Sequence, residues 1–436
     1  MIKRLPDSWA TVTLGELCEG IRGVTYKPCD LANESTSTTV TLLRSNNIQH
    51  GALIHKDVQY VVQEKVNPKQ LAEVGDIAVC MSNGSKNLVG KSATFNHIPT
   101  GTKYTVGSFC SIFRPLKNIS SDFVGHLFSS DQFQKQVDFS LAGSAINNLK
   151  NSDLLEYKFL KPPFPEQQKI ATILTSVDTV IEKTRAQIDK LKHLKTGMMQ
   201  QLLTQGIGHT EYKDSPVGRI PKAWGHARLE DVAVIQTGVA KNSKVTGDLI
   251  EVPYLRVANV QDGYLDLTEI KTLQLDRARL ERFMLRDNDI LVNEGGDFDK
   301  LGRGFIWKNQ ISPCVHQNHV FVVRTNQEKL LPMFFNYLSG SQYGKQYYLG
   351  CAKQTTNLAS LNSSQLKQFP VLLPTLKEQV QICEALNSVD MKIKNVEQKL
   401  SSITEIKKAL MQDLLSGKVR VTTSNKTENT KPLPYS

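Results

Sequence analysis

At 436 residues the chain is too long for one ordinary core, so two or more domains are expected. With 40% hydrophobic and 22% charged residues it has a globular composition, and no run approaches the roughly 18 apolar residues of a membrane span. The net charge of +11 points to a polyanionic partner, and cysteines at 18, 29, 80, 110, 314, 351 and 383, an odd set without CxxC spacing, indicate neither a disulfide framework nor a zinc site.

The start, MIKRLPDSWATVTL, lacks the apolar core of a signal peptide, and free thiols fit a reducing cytoplasm. Short strands follow: Val58–Val62, Asp76–Cys80, Ser92–Phe95 and Ser108–Phe113 are rich in β-branched or aromatic residues and bounded by Gly, Asn or Pro. A helix over Ser121–Gln136 closes this part, and Pro162-Pro163-Phe164-Pro165 ends it. From Ile170 a heptad phase then runs through Leu174, Val177, Ile181, Thr184, Ile188, Leu191, Lys195, Met198 and Leu202.

Gly206-Ile207-Gly208 terminates that rod. A second set of strands is read at Tyr254–Val257, Asp289–Val292, Gly304–Trp307 and His319–Val323, with a closing helix over Pro332–Tyr347 and prolines from Pro370 to Pro374. A second rod repeats the first phase 212 residues later: Ile382, Leu386, Val389, Ile393, Val396, Leu400, Ile403, Lys407, Leu410 and Leu414. At 1.5 Å per residue a rod of roughly 39 residues measures about 58 Å, and two matched apolar stripes most economically cover each other. Gly417 ends the second rod, and the polar tail Thr422–Ser436 reads as disordered.

The duplication extends to the globular parts. Leu5-Pro6-Asp7-Ser8-Trp9 recurs as Ile220-Pro221-Lys222-Ala223-Trp224. Leu43-Arg44-Ser45-Asn46-Asn47-Ile48-Gln49-His50-Gly51 recurs as Leu255-Arg256-Val257-Ala258-Asn259-Val260-Gln261-Asp262-Gly263. Gly75-Asp76-Ile77 answers Asn288-Asp289-Ile290, Gly90-Lys91 answers Gly302-Arg303, and Ser129, Gln132, Lys135 and Gln136 answer Ser339, Gln342, Lys345 and Gln346. The chain is thus one unit used twice, read as 1–161 globular, 162–206 rod, 207–374 globular, 375–417 rod and 418–436 tail.

Charge is spread evenly, with excesses of +3, +2, +3 and +3 over residues 1–161, 162–206, 207–375 and 376–436, so tight DNA binding is expected to need partner subunits. The stretch Gly84 to Gly90-Lys91-Ser92 is like a phosphate loop but has five residues between its glycines, where a nucleotide loop needs four. Lys161-Pro162-Pro163-Phe164 is like an amino-methyltransferase motif, yet a lysine cannot accept a hydrogen bond from the target amine. No metal-ligand spacing or catalytic triad is marked. Where the halves differ is in polar loops: Ser82, Asn83, Ser85, Lys86, Asn87 and Lys91 against Asn293, Glu294, Asp297, Asp299, Lys300 and Arg303. Near the end of each globular part come Ser144, Asn147 and Asn148, then Lys353, Gln354, Thr355 and Asn357. Asn and Gln bind adenine bidentately, Arg and Lys bind guanine, and Asp and Glu accept from cytosine, so two similar frames with different loops would read two different sequences.

In this order the motifs resemble the specificity subunit of Type I restriction–modification systems. The marks are the paired Pro-x-x-Trp and Leu-Arg-x-x-Asn-x-Gln-x-Gly segments, Pro165-Glu166-Gln167 with Lys377-Glu378-Gln379, and the rod ends Met199-Gln-Gln-Leu-Leu203 and Met411-Gln-Asp-Leu-Leu415. Thr375-Leu376-Lys377, where the first copy has Pro163-Phe164-Pro165, leaves the start of the second helix open. The resemblance implies an α+β fold with an internal pseudo-two-fold repeat: two mixed α/β target-recognition domains separated by two long helices that pack as an antiparallel coiled coil. It implies a non-catalytic reader of a bipartite double-stranded DNA target in a cytoplasmic phage-defence system. Two methyltransferase subunits would modify adenine N6 with S-adenosylmethionine, and motor–endonuclease subunits would use ATP and Mg; this chain itself would bind no cofactor. A rod of fixed length would set the spacer, and about 58 Å spans about 17 base pairs. A self-sufficient methyltransferase or nuclease, and a coiled-coil adaptor without a DNA role, stay open as alternatives.

Overall fold

The computed structural model describes residues 8–49, 51–142, 147–240, 247–296, 301–354 and 359–422; the tail beyond Thr422 and the Leu5–Asp7 part of the first Pro-x-x-Trp motif lie outside these. Two compact units make up the chain: Met1–Arg185 together with Lys399–Ser436, and Ala186–Gln398. The long helices Phe164–Gln205 and Leu376–Leu415 each contribute one part to each unit.

The first unit is built on a four-stranded antiparallel sheet in the order Cys18–Arg22, Cys110–Pro115, Ile77–Cys80, Ser92–Thr94. Its strand Ile77–Cys80 is an unbroken apolar run because both faces are covered. Alternate residues point to opposite sides: Ile77 and Val79 join a core with Trp9, Leu14 and Phe113, while Ala78 and Cys80 join Ile21, Phe95 and Ile112. A second sheet orders Tyr104–Val106, Thr39–Leu43, Gln59–Val62 and Leu31–Ala32, and Ala10–Thr13 pairs antiparallel with Lys158–Lys161.

The second unit repeats this order. Its main sheet runs Ala233–Thr237, Val320–Thr325, Ile290–Asn293, Gly304–Ile306; a second sheet runs Lys271–Asp276, Leu249–Leu255, Val315–His316. Gly225–Arg228 pairs antiparallel with Pro370–Leu373. The prolines at 370–374 therefore open a strand as well as end the globular part: Pro370 is the first residue of its strand, where a missing N–H costs least.

The closing helices differ from their reading in the sequence. Each expected single helix is two, Ser121–Phe128 with Asp131–Ala142, and Pro332–Gly340 with Gln342–Cys351. The break is made by a serine: Ser130 Oγ accepts from Phe133 N (3.1 Å) and Ser341 Oγ accepts from Gly344 N (3.3 Å), the bonds of a helix N-cap. These caps make Ser130 the counterpart of Ser341, so the pairing of Ser129, Gln132, Lys135 and Gln136 with Ser339, Gln342, Lys345 and Gln346 is one residue out of register.

The motif residues hold helix to globular part. In the first unit Glu166, on the first turn of its helix, accepts from Trp9 Nε1 (2.9 Å) and from Arg420 Nε (2.6 Å) and Nη2 (2.9 Å). In the second, Glu378 accepts from Trp224 Nε1 (3.0 Å) and Ile207 N (3.0 Å) and bonds His209 Nε2 (2.9 Å). Gln167 accepts from Ser120 N and donates to the Pro162 carbonyl; Gln379 accepts from Leu331 N and donates to that of Pro374. Both helices begin at equivalent positions, Phe164 and Leu376, despite the changed sequence, with Thr375 Oγ1 accepting from Glu378 N.

Within each unit the helix segments pack antiparallel. In the first, Ile170, Ala171 and Leu174 bury against Met411, Leu414 and Leu415, and Lys407 Nζ meets Asp178 Oδ1 at 2.6 Å. In the second, Ile382, Cys383 and Leu386 share a core with Leu203, and Lys195 Nζ meets Asp390 Oδ1 at 2.7 Å. Ile181, Ile188, Val389 and Ile393 are buried, and Val177, Leu191, Val396 and Leu400 are partly so. The seam lysines face aspartates at matching positions, and each aspartate also meets a side chain from the globular part. Tyr337 Oη donates to Asp390 Oδ2 (2.9 Å); His126 Nδ1 lies 3.9 Å from Asp178 Oδ2, burial pushing its pKa down against the pull of that carboxylate.

Candidate nucleic-acid interface

In each unit, three segments of the chain are pinned to one another by the same backbone bonds. In the first, Met81 N donates to the Phe109 carbonyl (2.8 Å) and Leu149 N to that of Met81 (2.8 Å). In the second, Glu294 N donates to the His319 carbonyl (3.0 Å) and Leu361 N to that of Glu294 (2.7 Å). The loop after the central strand, the turn before its neighbour and the segment after the closing helices thus form one assembled edge.

Below this edge the two halves share their buried polar contacts. Asn47 accepts from Arg44 N and donates to the carbonyls of Ile54 and Lys56; Asn259 accepts from Arg256 N and donates to those of Asp266 and Glu269. Asp76, 1% exposed, takes a bidentate pair from Arg114 (2.9 and 2.7 Å), and Asp289, also 1%, takes one from Arg324 (2.7 and 2.6 Å). These charge-assisted forks satisfy carboxylates that burial alone would disfavour, and both arginines are held more basic by their aspartates. Gly90 and Gly302 both take positive φ, +84° and +68°, where a Cβ would press on Val137 or on the Tyr348 ring.

On the first edge, Ser82 bridges to Asn148, Asn83 N donates to the Asn147 carbonyl, and Asn147 Nδ2 donates to that of Gly84 (3.2 Å). Asn83 Oδ1 accepts from Ser85 N, and its Nδ2 reaches Ser45 Oγ at 3.4 Å. The stretch from Gly84 to Gly90 closes through a short 3₁₀ turn, Lys86–Leu88, and opens no long helix. Ser85, Lys86, Asn87 and Lys91 are exposed; Ser82, Asn83 and Asn147 are partly buried in holding the loop. Ser144 lies outside the described residues.

On the second edge, Gly295–Gly296 pairs with Ala359–Ser360, which also pairs with Lys353–Gln354. Glu294 is thereby brought beside Ala359–Ser360, and its Oε2 accepts from His319 Nδ1 (2.6 Å). Arg303 Nη1 donates to Gln261 Oε1 (3.2 Å), linking the glycine loop to the Leu-Arg-x-x-Asn segment. Asp297, Asp299, Lys300, Thr355 and Asn357 lie outside the described residues, and Lys353 and Gln354 are described in backbone only. Phe109 and His319 fall within the expected strands Ser108–Phe113 and His319–Val323. They stand on turns instead, with the strands beginning at Cys110 and Val320. Among the described residues no group of three or more His, Cys, Asp or Glu is placed to hold a metal ion, and no helix is long and apolar enough to cross a membrane.

The profile of one family, the Type I restriction modification DNA specificity domain, matches residues 6–193 and again 221–405. The chain belongs to this family. Among its relatives, the StySPI specificity subunit of Salmonella potsdam is 26% identical over 415 residues, covering 95% of this chain and 89% of the relative. The EcoKI specificity subunit of Escherichia coli K12 is 25% identical over 426 residues, with the same shares covered. Two solved chains have this fold: one from a study of complex assembly and conformational transition in the type I R-M system (TM-score 0.56, 16% identity, 95% of this chain and 100% of that one), the other the type I S subunit of M. genitalium (TM-score 0.53, 14% identity, 94% and 98%). As a specificity-family chain, the protein recognises DNA within a type I restriction–modification system.

Proposed function

We propose that this chain is the non-catalytic reader of a bipartite, asymmetric DNA target, one half-site per globular part, with the spacer set by the paired helices. The observation that carries this reading is a frame repeated down to its buried Asp–Arg forks and Asn-centred loops, carrying exposed polar loops that differ between the halves. Ser82, Asn83, Ser85, Lys86, Asn87, Lys91, Ser144 and Asn147 supply the contacts of the first half-site. Glu294, Asp297, Lys300, Arg303, Lys353, Gln354 and Asn357 supply those of the second. In the cytoplasm the chain directs two methyltransferase subunits, using S-adenosylmethionine on adenine N6, and motor–endonuclease subunits using ATP and Mg. The even charge distribution supports dependence on partners for phosphate contacts.

Exchanging residues 1–160 for those of a relative is expected to change one half-site and leave the other; movement of both refutes the modular reading. One heptad inserted after Arg185 and one after Gln398 keep the seam in phase and lengthen the rod by about 10 Å, so the spacer is expected to grow by about 3 base pairs. Methylation of DNA by the purified chain alone would instead make it the enzyme. An unchanged methylation pattern after joint mutation of Asn83, Lys86, Arg303 and Gln354 would make it an adaptor.

A further inference from the structure

Phe109 and His319 occupy the same place in the two halves. Each precedes the first residue of the strand next to the central one, and each has its carbonyl bound by the equivalent N–H, from Met81 or from Glu294. Gly107 and Gln317, two residues earlier, make the same parallel bridge, to Val24 and to Val239. Cys110 N donates to the Gly107 carbonyl (2.8 Å) and Val320 N to that of Gln317 (2.9 Å), so both turns have the same closure. The backbone is therefore fixed and only the side chain varies.

Both side chains point away from the cores that bury their neighbours. Phe109 is 67% exposed beside a cysteine that is 1% exposed. The His319 side chain is 53% exposed, yet its ring is not free to turn, because Nδ1 lies 2.6 Å from Glu294 Oε2. A carboxylate only accepts, so Nδ1 donates to it, and in that tautomer Nε2 presents its lone pair outward. Asn318 Nδ2 lies 3.5 Å from Nε2, the outer limit of a hydrogen bond. One side chain is a bare apolar surface and the other an oriented acceptor; both sit on rigid turns at the edge assembled from the variable loops.

We infer that Phe109 and His319 are specificity-determining residues, one for each half-site. Phe109 makes an apolar contact with the C5-methyl group of a thymine, and His319 Nε2 accepts from the exocyclic amino group of an adenine or cytosine. This rests on the reading of the chain as a bipartite DNA reader.

The test uses the chain assembled with its methyltransferase subunits and DNA carrying single-atom-group replacements. Deoxyuridine replaces each thymine in turn; purine replaces each adenine and 2-pyrimidinone each cytosine. Wild type is expected to lose roughly tenfold in affinity at one thymine of the first half-site and at one amino-bearing base of the second. Phe109→Ala is expected to abolish the first sensitivity alone, Phe109→Leu to retain part of it, and His319→Ala to abolish the second alone. The inference is overturned if Phe109→Ala keeps the deoxyuridine penalty, if either variant weakens all sequences equally, or if the first half-site contains no thymine. Absence of any sequence preference in wild type refutes the underlying reading instead. Hydrogen-exchange protection of each variant, expected to match wild type, separates a lost contact from a lost fold.

Discussion

Replacing Glu166 with alanine tests how each helix is fastened to its globular part. The carboxylate is 4% exposed and accepts from Trp9 Nε1, whose indole is itself buried. Alanine leaves that N–H without a partner, which costs about 1–3 kcal/mol, more when the lost acceptor was ionised. Arg420, largely exposed, recovers its partners from water and adds little. A loss of about 2–3 kcal/mol raises the opening constant by roughly 30- to 150-fold, at about 1.4 kcal/mol per tenfold. Hydrogen exchange reads this region by region: protection around Ile170–Leu174 should fall by that factor while Ile382–Leu386 is unchanged. Glu166→Gln keeps a neutral acceptor for the indole and should lose less. Glu378→Ala should act on the other unit and cost more, because it strands Ile207 N as well as Trp224 Nε1. Equal protection in Glu166→Ala and wild type, or equal losses in the alanine and glutamine variants, would refute the argument.

Burial pushes the His316 pKa down to about 4, so the unfolded chain, with its pKa near 6.5, binds the extra proton first. Stability of the second unit should be full above pH 6.5 and fall by about 3 kcal/mol as pH drops toward 4; His316→Val, borrowing the Val106 of the first unit, should flatten urea midpoints between pH 7 and 5. Leu174→Ala, at a fully buried seam position, should cost about 2–5 kcal/mol in urea unfolding, and Val180→Ala on the exposed side of the same helix under about 0.5. Gly302→Ala forces a Cβ onto the Tyr348 ring as well as a positive φ, so it should cost about 2–4 kcal/mol by thermal melting; Gly263→Ala, at φ +83° with open space around it, should cost only about 1.

The repeat, the rods and the glycine turns were legible because each follows a local rule: a period, a cap or a positive φ. The start of the second helix, left open by Thr375 in place of Pro163, is settled only in the structure, where the Thr375 hydroxyl accepts from Glu378 N. Pairs far apart in the chain were not. Nothing near Glu166 announces Arg420, 254 residues away, and nothing in Ala10–Thr13 announces Lys158–Lys161. Ser130 and Ser341 read as ordinary helix residues until their hydroxyls are seen to cap the next helix. Phe109 and His319 were hidden because an aromatic or imidazole before a β-rich run looks like the run's first residue. Only the closed turn carries them outward.

The first unit is made of two stretches separated by the whole of the second. On the ribosome, residues 186–398 have all been joined before Lys399 is added, so the half begun first is completed last. At roughly 5–20 residues per second, Ile170, Ala171 and Leu174 wait for Met411, Leu414 and Leu415 until the whole of the second unit has been made. A nascent chain interrupted between Gln398 and Met411 carries a complete second half and an unfinished first one, the reverse of the order in which a protein of successive domains matures.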